Sequence, residues 1–226
     1  MKLTLINQKP ETEGVITFQF QPQEPTTWQP GQYMHYVMEQ DDSDDRGTER
    51  WFTIASAPFQ KFIQITTRYD GQRVSSFKKA LQAMDPGAAI EADGPKGKFV
   101  LQEGDHRHIF IAGGIGITPF RSMLAQMDHD GSVPDIELLY ANRDQDFIFG
   151  EELERIAAAH PSLKITKFVD KHIEAADLQT YLTDDSNFFY ISGPEPMVES
   201  YDELLKSLGV PEERIKNDYF PGYQQA

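Results

Sequence analysis

The stretch Ile109-Phe110-Ile111-Ala112-Gly113-Gly114-Ile115-Gly116-Ile117-Thr118-Pro119 constrains the fold more than any other part of the chain. An apolar run with no polar alternation is a strand covered on both faces, and it leads through glycines into residues that suit the first turn of a helix. From His108 onward the same alternation repeats. Strands are expected at 108–112, 136–141, 164–169, 187–192 and near 214–219, and helices at 118–128, 149–160, 175–182 and 196–208. That order is the mark of a parallel, doubly wound α/β sheet. Before residue 105 the pattern is different: apolar residues alternate in short runs, at 16–20, 33–38, 62–67 and 88–92, with Pro and Gly breakers between them. Period two with that spacing predicts a small antiparallel barrel or sandwich. One helix interrupts it, from a cap at Ser75 or Ser76 to Met84, with Phe77, Ala80, Leu81 and Met84 on one face. The change of period falls in 102–107, which places the domain boundary between residues 104 and 105. The acidic run 41–48 reads as a solvated hairpin tip with no assigned chemistry.

The 226 residues contain no cysteine, which removes disulfides, thiolate-held iron–sulfur clusters, Cys-ligated zinc and a cysteine nucleophile from this chain. A formal charge of −15 argues against nucleic acid and against a general attraction to anionic membranes. No stretch approaches the length of a membrane span, and the first ten residues lack a secretory apolar core, so a cytoplasmic location is expected. The histidines are scattered without metal-ligand spacing, and no metal site is expected.

Two segments carry chemistry. A strand, glycines and a helix start bring bare backbone N–H groups towards a diphosphate, and a Cβ at the glycines blocks that approach. Thr118 is expected to cap the helix and Pro119 to occupy its first turn. The same turn can also close a strand–helix unit without ligand. In Arg50-Trp51-Phe52-Thr53, Arg50 and Phe52 share one face of a strand, a cation for phosphate beside a flat ring, with the Thr53 hydroxyl facing away. Aromatic-rich strands are also ordinary core. After the second strand of the α/β half, Asn142-Arg143-Asp144 offers both a cation for a 2′-phosphate and an acid for a ribose diol, which leaves NADH and NADPH equally open.

In this order the two segments resemble the ferredoxin–NADP(H) reductase superfamily, along nearly the whole chain. Further landmarks stand in sequence: Pro30-Gly31-Gln32-Tyr33, Gly71-Gln72-Arg73-Val74-Ser75, Gly94-Pro95-Lys96-Gly97-Lys98-Phe99, Tyr140-Ala141-Asn142-Arg143, Ser192-Gly193-Pro194-Glu195-Pro196-Met197 and Asp218-Tyr219-Phe220-Pro221-Gly222-Tyr223. The resemblance implies a Greek-key FAD-binding β-barrel over 1–104 and a Rossmann-like NAD(P)-binding domain over 105–226. It further implies hydride transfer from nicotinamide C4 to FAD N5.

By the same resemblance Arg50 meets the flavin phosphates, Phe52 packs on the isoalloxazine and Thr53 bonds near N5. Trp51, Thr66, Thr67 and Arg73 join the flavin contacts, and Gly71, Val74 and Ser75 receive the pyrophosphate, which favours FAD over FMN. Helix-dipole physics also favours an anion at Ser75. Gly113, Gly114, Gly116, Thr118 and Pro119 hold the dinucleotide phosphates, with Asn142 and Arg143 beside them and Gly193, Pro194 and Met197 at the nicotinamide end. Ser192, where the family commonly has cysteine, Asp218 and Phe220 are the remaining catalytic candidates, with Tyr223 behind them. The aromatic at position 52 is usually tyrosine, and phenylalanine keeps the stacking surface while losing a hydroxyl. Electrons then pass to a separate carrier of ferredoxin or flavodoxin type, or to a small acceptor. Lys61, Arg68, Arg73, Lys78 and Lys79 offer a basic rim for an acidic partner or an ordinary solvated surface. Two alternatives stand beside this reading: a flavin or ferric reductase using diffusible flavin, and a low-activity electron-relay subunit.

Overall fold

The computed structural model describes residues 1–39, 43–69, 74–104 and 106–220, except the side chain of Phe220. The chain divides into two compact units, Met1–Val100 and Leu101–Ala226.

The first unit is a curled antiparallel sheet of β1 (Lys2–Thr12), β2 (Val15–Pro22), β3 (Tyr33–Val37), β4 (Glu49–Thr53), β5 (Ile63–Arg68) and β6 (Ala89–Lys96), in the order β4-β3-β6-β1-β2-β5. Its two edges approach each other just past β4, where Ala55 N donates to Gln64 O at 2.9 Å. Inward-facing Leu3, Leu5, Phe18, Phe20, Met34, Tyr36, Phe52, Ile63, Ile65 and Ile90 fill the interior with Trp28. The indole N–H of Trp28 is satisfied by Ser56 O at 3.0 Å. Helix α1 (Ser76–Gln82) closes one end by burying Phe77 and Leu81, and Ser75 is its cap, its hydroxyl accepting from Lys78 N at 3.2 Å.

β1 is the strand with no sequence signal. Only Leu3 and Leu5 alternate inward; a bulge follows between Leu5 and Asn7, and the polar remainder is held in register by β2, Gln8 opposite Phe18 and Pro10 opposite Ile16. Backbone pairing, not side-chain period, makes it a strand.

The second unit is a parallel sheet of β7 (His108–Gly113), β8 (Ile136–Asn142), β9 (Leu163–Val169), β10 (Phe188–Pro194) and β11 (Ile215–Phe220), ordered β11-β10-β7-β8-β9. The helices are α2 (Ile117–Asp130), α3 (Gly150–Ala159), α4 (Ala175–Leu178) and α5 (Glu195–Ser207). On one face Ile109, Ile111, Phe189 and Ile191 meet Val198, Tyr201 and Leu205 of α5 and Leu178 of α4. Elsewhere in the unit Phe110 of β7 stacks on Phe120 of α2, ring centroids 4.5 Å apart. Arg121 of α2 reaches Glu152 of α3 through two bonds of 2.9 Å and lies over the Phe149 ring, joining the two helices. Among the described residues no helix is long and apolar enough to cross a membrane.

His108 enters this core 1 % exposed, and its Nδ1 has no hydrogen-bond partner among the described residues. Burial, and then the nearby His106, hold its pKa down to about 4. The unfolded chain therefore takes up a proton near pH 6.5 that the folded chain refuses until about 4. His108 favours the fold above pH 6.5, and this contribution is lost as pH falls through that window. The loss amounts to roughly 3 kcal/mol in all. Urea unfolding across pH 4.5–7 is expected to show the acid-side decline shallower in His108→Gln than in the parent; equal slopes would overturn the assignment.

Candidate functional site

In the second unit the site residues fall on one row of the sheet. Asp218 of β11 lies opposite Ser192 of β10, Ser192 opposite Ala112 of β7, and Ala112 opposite Tyr140 of β8. Gly113, Gly193 and Ala141 follow directly behind, so four adjoining strands present their carboxyl ends together. The strand order also reverses here: β8 and β9 lie on one side of β7, β10 and β11 on the other. Open α/β sheets bind ligands in the crevice at such a switch point.

The glycines are required by the protein's own packing. A Cβ on Gly116 lies 2.1 Å from the Ser192 carbonyl oxygen and 2.7 Å from Gly193 Cα; one on Gly113 lies 2.1 Å from Met197 Sδ. Gly114 has φ of +51°. The turn is thus pressed against the end of β10, and the Tyr140 hydroxyl braces it from β8 by donating to Gly114 O at 3.1 Å. Tyr140 was visible in the sequence only as part of a landmark; its role depends on the register of β8 with β7.

Several expectations change. Thr118 does not cap α2, because the helix opens at Ile117 with Gly116 in the cap position. Instead the Thr118 hydroxyl donates back to Ile115 O at 3.1 Å, and Pro119 is buried in the first turn. Asn142 is directed into its own loop, its amide donating to Asp144 O, Asp144 Oδ1 and Asp146 O at 3.0–3.2 Å, while Arg143 is exposed beside it. Ser192 is fully buried, and its hydroxyl donates to Asp218 Oδ2 at 3.2 Å. Burial pushes the Asp218 carboxyl up to about 7, against the opposing pull of that hydrogen bond. Pro194 and Met197 are half-buried at the head of α5. Phe220 ends β11 in register with Pro194, its side chain outside the described residues, as is Tyr223.

In the first unit Arg50 and Phe52 do share a face. The guanidinium lies 5.6 Å from the centroid of Phe77 in α1, and the Phe52 ring is 5.9 Å from the same ring and 5.7 Å from Tyr36. Phe52 is core, 9 % exposed, whereas the intervening Trp51 is 52 % exposed and stacks on His35 at 4.4 Å. Alternation along a strand whose inner face is barrel core accounts for both. Thr53 is buried, and the Thr66 hydroxyl pairs with that of Thr17, its partner on the neighbouring strand β2, at 2.7 Å, with Thr67 buried next to it. Val74 and Ser75 precede α1, and Gly71 and Arg73 lie outside the described residues.

Within the acidic run, expected to be solvated, Asp44, Arg46 and Gly47 are engaged, whereas Asp45 is exposed and residues 41 and 42 lie outside the described residues. Asp44 Oδ2 accepts from Ser76 N at 2.8 Å, Asp44 N donates to Ser76 Oγ at 3.0 Å, and Arg50 Nη1 donates to Arg46 O at 2.8 Å and Gly47 O at 3.4 Å. The Arg50 guanidinium at the barrel rim fits the anionic part of a flavin nucleotide. The strand–glycine turn–helix unit at 113–119 similarly fits a dinucleotide. No sequence signal tied Asp44 to Ser76, which stand 32 residues apart.

Residues 110–203 match the family described as Oxidoreductase NAD-binding domain. The ferredoxin–NADP reductase B of Sorangium cellulosum is 30 % identical over 188 residues, covering 74 % of this chain and 76 % of the relative. A flavohemoprotein of Rhodopirellula baltica is 24 % identical over 93 % of this chain and 58 % of its own length. The chain spans little more than half of several such curated relatives. Among solved structures, the FAD/NAD binding domain of a nitric oxide dioxygenase from Vibrio cholerae superposes with a TM-score of 0.84 at 19 % identity, covering 97 % of this chain and 98 % of that one.

The two glycine contacts predict different outcomes. Gly116→Ala meets backbone and is expected to destabilise by roughly 3 kcal/mol or more. Gly113→Ala meets the flexible end of Met197, so Gly113→Ala/Met197→Ala is expected to recover part of the loss in urea unfolding. No recovery in the double variant would show that the Met197 contact is not what requires glycine at 113.

Proposed function

The chain belongs to the ferredoxin–NADP reductase family, and from this footing we propose that it is a flavin-dependent NAD(P)H oxidoreductase that passes electrons to a separate acceptor. The acceptor is a carrier of ferredoxin or flavodoxin type, another redox protein or a small molecule. The observation that carries the reading is the single row of Asp218, Ser192, Ala112 and Tyr140, with the glycine turn behind it at the switch point of the sheet. A nicotinamide dinucleotide laid there has its phosphates on the turn amides of 113–116 and its ring towards Ser192, Gly193, Pro194 and Met197. On the barrel, Arg50 and the residues leading into α1 are the flavin phosphate donors, and FAD supplies the two-electron acceptor for hydride from nicotinamide C4.

The protein's own chemistry in this reading is orientation and charge. Ser192 is held by its bond to Asp218, which fixes the hydroxyl beside the nicotinamide end. The Asp218 carboxyl, pushed up to about 7, holds its proton under mildly acidic conditions and releases it under mildly basic ones. Once ionised, it favours the positive charge that develops on the ring as hydride leaves. Phe52 favours a second reading, in which flavin is a dissociating substrate, because its ring belongs to the barrel core and lacks a hydroxyl.

The first test is an anaerobic titration of the protein with NADH and, separately, NADPH, following the visible flavin spectrum with FAD present. Bleaching by at least one nucleotide is expected; flavin that stays oxidised with both would sink the proposal. Arg50→Ala is expected to weaken FAD binding about tenfold or more, since it removes charge-assisted bonds to phosphate. Unchanged FAD affinity would take Arg50 out of the site. The rate of flavin reduction is expected to rise with pH through about 7. In Asp218→Asn that inflection should disappear; its persistence would assign the titration to another group.

A further inference from the structure

We propose that the hydroxyls of Tyr140 and Thr118 are positioning groups for the dinucleotide, pinning Ile115 on both sides so that its amide is turned towards the diphosphate. The inference rests on the reading of the 113–116 turn as the phosphate site and deepens it. Tyr140 stands opposite Ala112 in the register of β8 with β7, and its buried ring is held T-shaped against Phe147, centroids 4.9 Å apart. From there the hydroxyl reaches the start of the turn and donates to Gly114 O at 3.1 Å. Ile148 O stands farther off, at 3.4 Å, so the one phenolic proton favours the turn. Ile117 N donates to the same Gly114 carbonyl, which fills its second lone pair. The following carbonyl, Ile115 O, accepts from the buried Thr118 hydroxyl at 3.1 Å.

Peptide planarity turns these bonds into a direction. In a trans peptide the C=O and the next N–H point opposite ways, so a Gly114 carbonyl held on Tyr140 sends the Ile115 N–H away from Tyr140. Glycine at 114, with φ of +51°, does not fix this plane by itself, because glycine tolerates either hand of the turn. Turned over, the plane presents a carbonyl oxygen to the phosphates in place of an N–H, a dipole of the wrong sign for an anion. Tyr140 rewards one of the two orientations. Thr118 holds the other side of the same residue and spends its single proton on Ile115 O, so it orients the turn and does not itself donate to phosphate. Both bonds exist before a ligand arrives, which lowers the ordering cost of binding. The consequence is a contribution to affinity at the diphosphate, separate from the ring end where hydride leaves.

The test is isothermal calorimetry on the full chain with whichever of NAD+ and NADP+ the parent binds, and with the matching ADP-ribose fragment, which keeps the diphosphate and lacks the nicotinamide. Tyr140→Phe is expected to weaken both about fivefold, the size of one neutral hydrogen bond. Thr118→Val is expected to do the same, and Thr118→Ser, which keeps the hydroxyl, to stay within about twofold of the parent. With FAD bound, the loss in Tyr140→Phe should fall on KM for the nucleotide and not on the limiting rate of flavin reduction. Circular dichroism confirms that each variant is folded, and Thr118→Val against Thr118→Ser carries the test should Tyr140→Phe fail to fold. Unchanged affinity in the folded variants would overturn the inference. So would a loss seen with the whole dinucleotide and absent from the fragment, or a fall in the limiting rate in place of KM. If the parent binds neither dinucleotide nor fragment, the phosphate reading of the turn fails and the inference with it. If the parent binds both and the variants bind them equally well, only the pinning of Ile115 fails.

Discussion

The approach of the 113–116 turn to the end of β10 is the constraint on which the rest of the α/β unit depends. With no room for a single Cβ between Gly116 and the Ser192 carbonyl, the start of α2 is fixed against the carboxyl end of a strand more than seventy positions later in the sequence. The contact holds α2 across the switch point, brings Ser192 under the turn and, through the pairing of β10 with β11, brings Asp218 to Ser192. Glycine is needed here first for the protein's own packing. In the function proposed above, approach to a phosphate is a second use of the same bare backbone.

The barrel solves a different problem. Its inner face must be apolar, so the side of β4 that carries Arg50 and Phe52 puts the ring into the core and leaves the guanidinium at the rim over Phe77. There the guanidinium donates to the carbonyls of Arg46, Gly47 and Glu49. Asp44 satisfies the first amide of α1.

Two titrating groups pull the α/β unit in opposite directions. His108 is kept neutral by burial and penalises acid, whereas Asp218 is kept protonated by burial and penalises base. Between about pH 4 and 6.5 the folded chain lacks the proton on His108 and holds the one on Asp218, so the two contributions to the pH slope oppose each other. A half-buried carboxyl at the carboxyl edge of the sheet is thus tolerated alongside a buried histidine at the amino end of β7.

Much of the fold was legible because it rests on local periodicity. The unbroken apolar run at 109–112, the glycines behind it and the alternation of strand and helix fixed the class of the second unit, and period two fixed the class of the first. β1 was not legible, since beyond Leu5 its outward polar residues carry no alternation and only pairing with β2 makes them a strand. The site was legible as residue types and not as contacts. The sequence by itself determined that Arg50, the 113–116 glycines, Ser192 and Asp218 stand in an order compatible with nucleotide chemistry. Tertiary structure alone decided that Ser192 bonds Asp218, that Tyr140 braces Gly114, that Thr118 bonds backward instead of capping, and that Asp44 reaches Ser76. Each of these depends on strand register, helix phase or loop closure, quantities set by how distant segments pack and not by any neighbour along the chain.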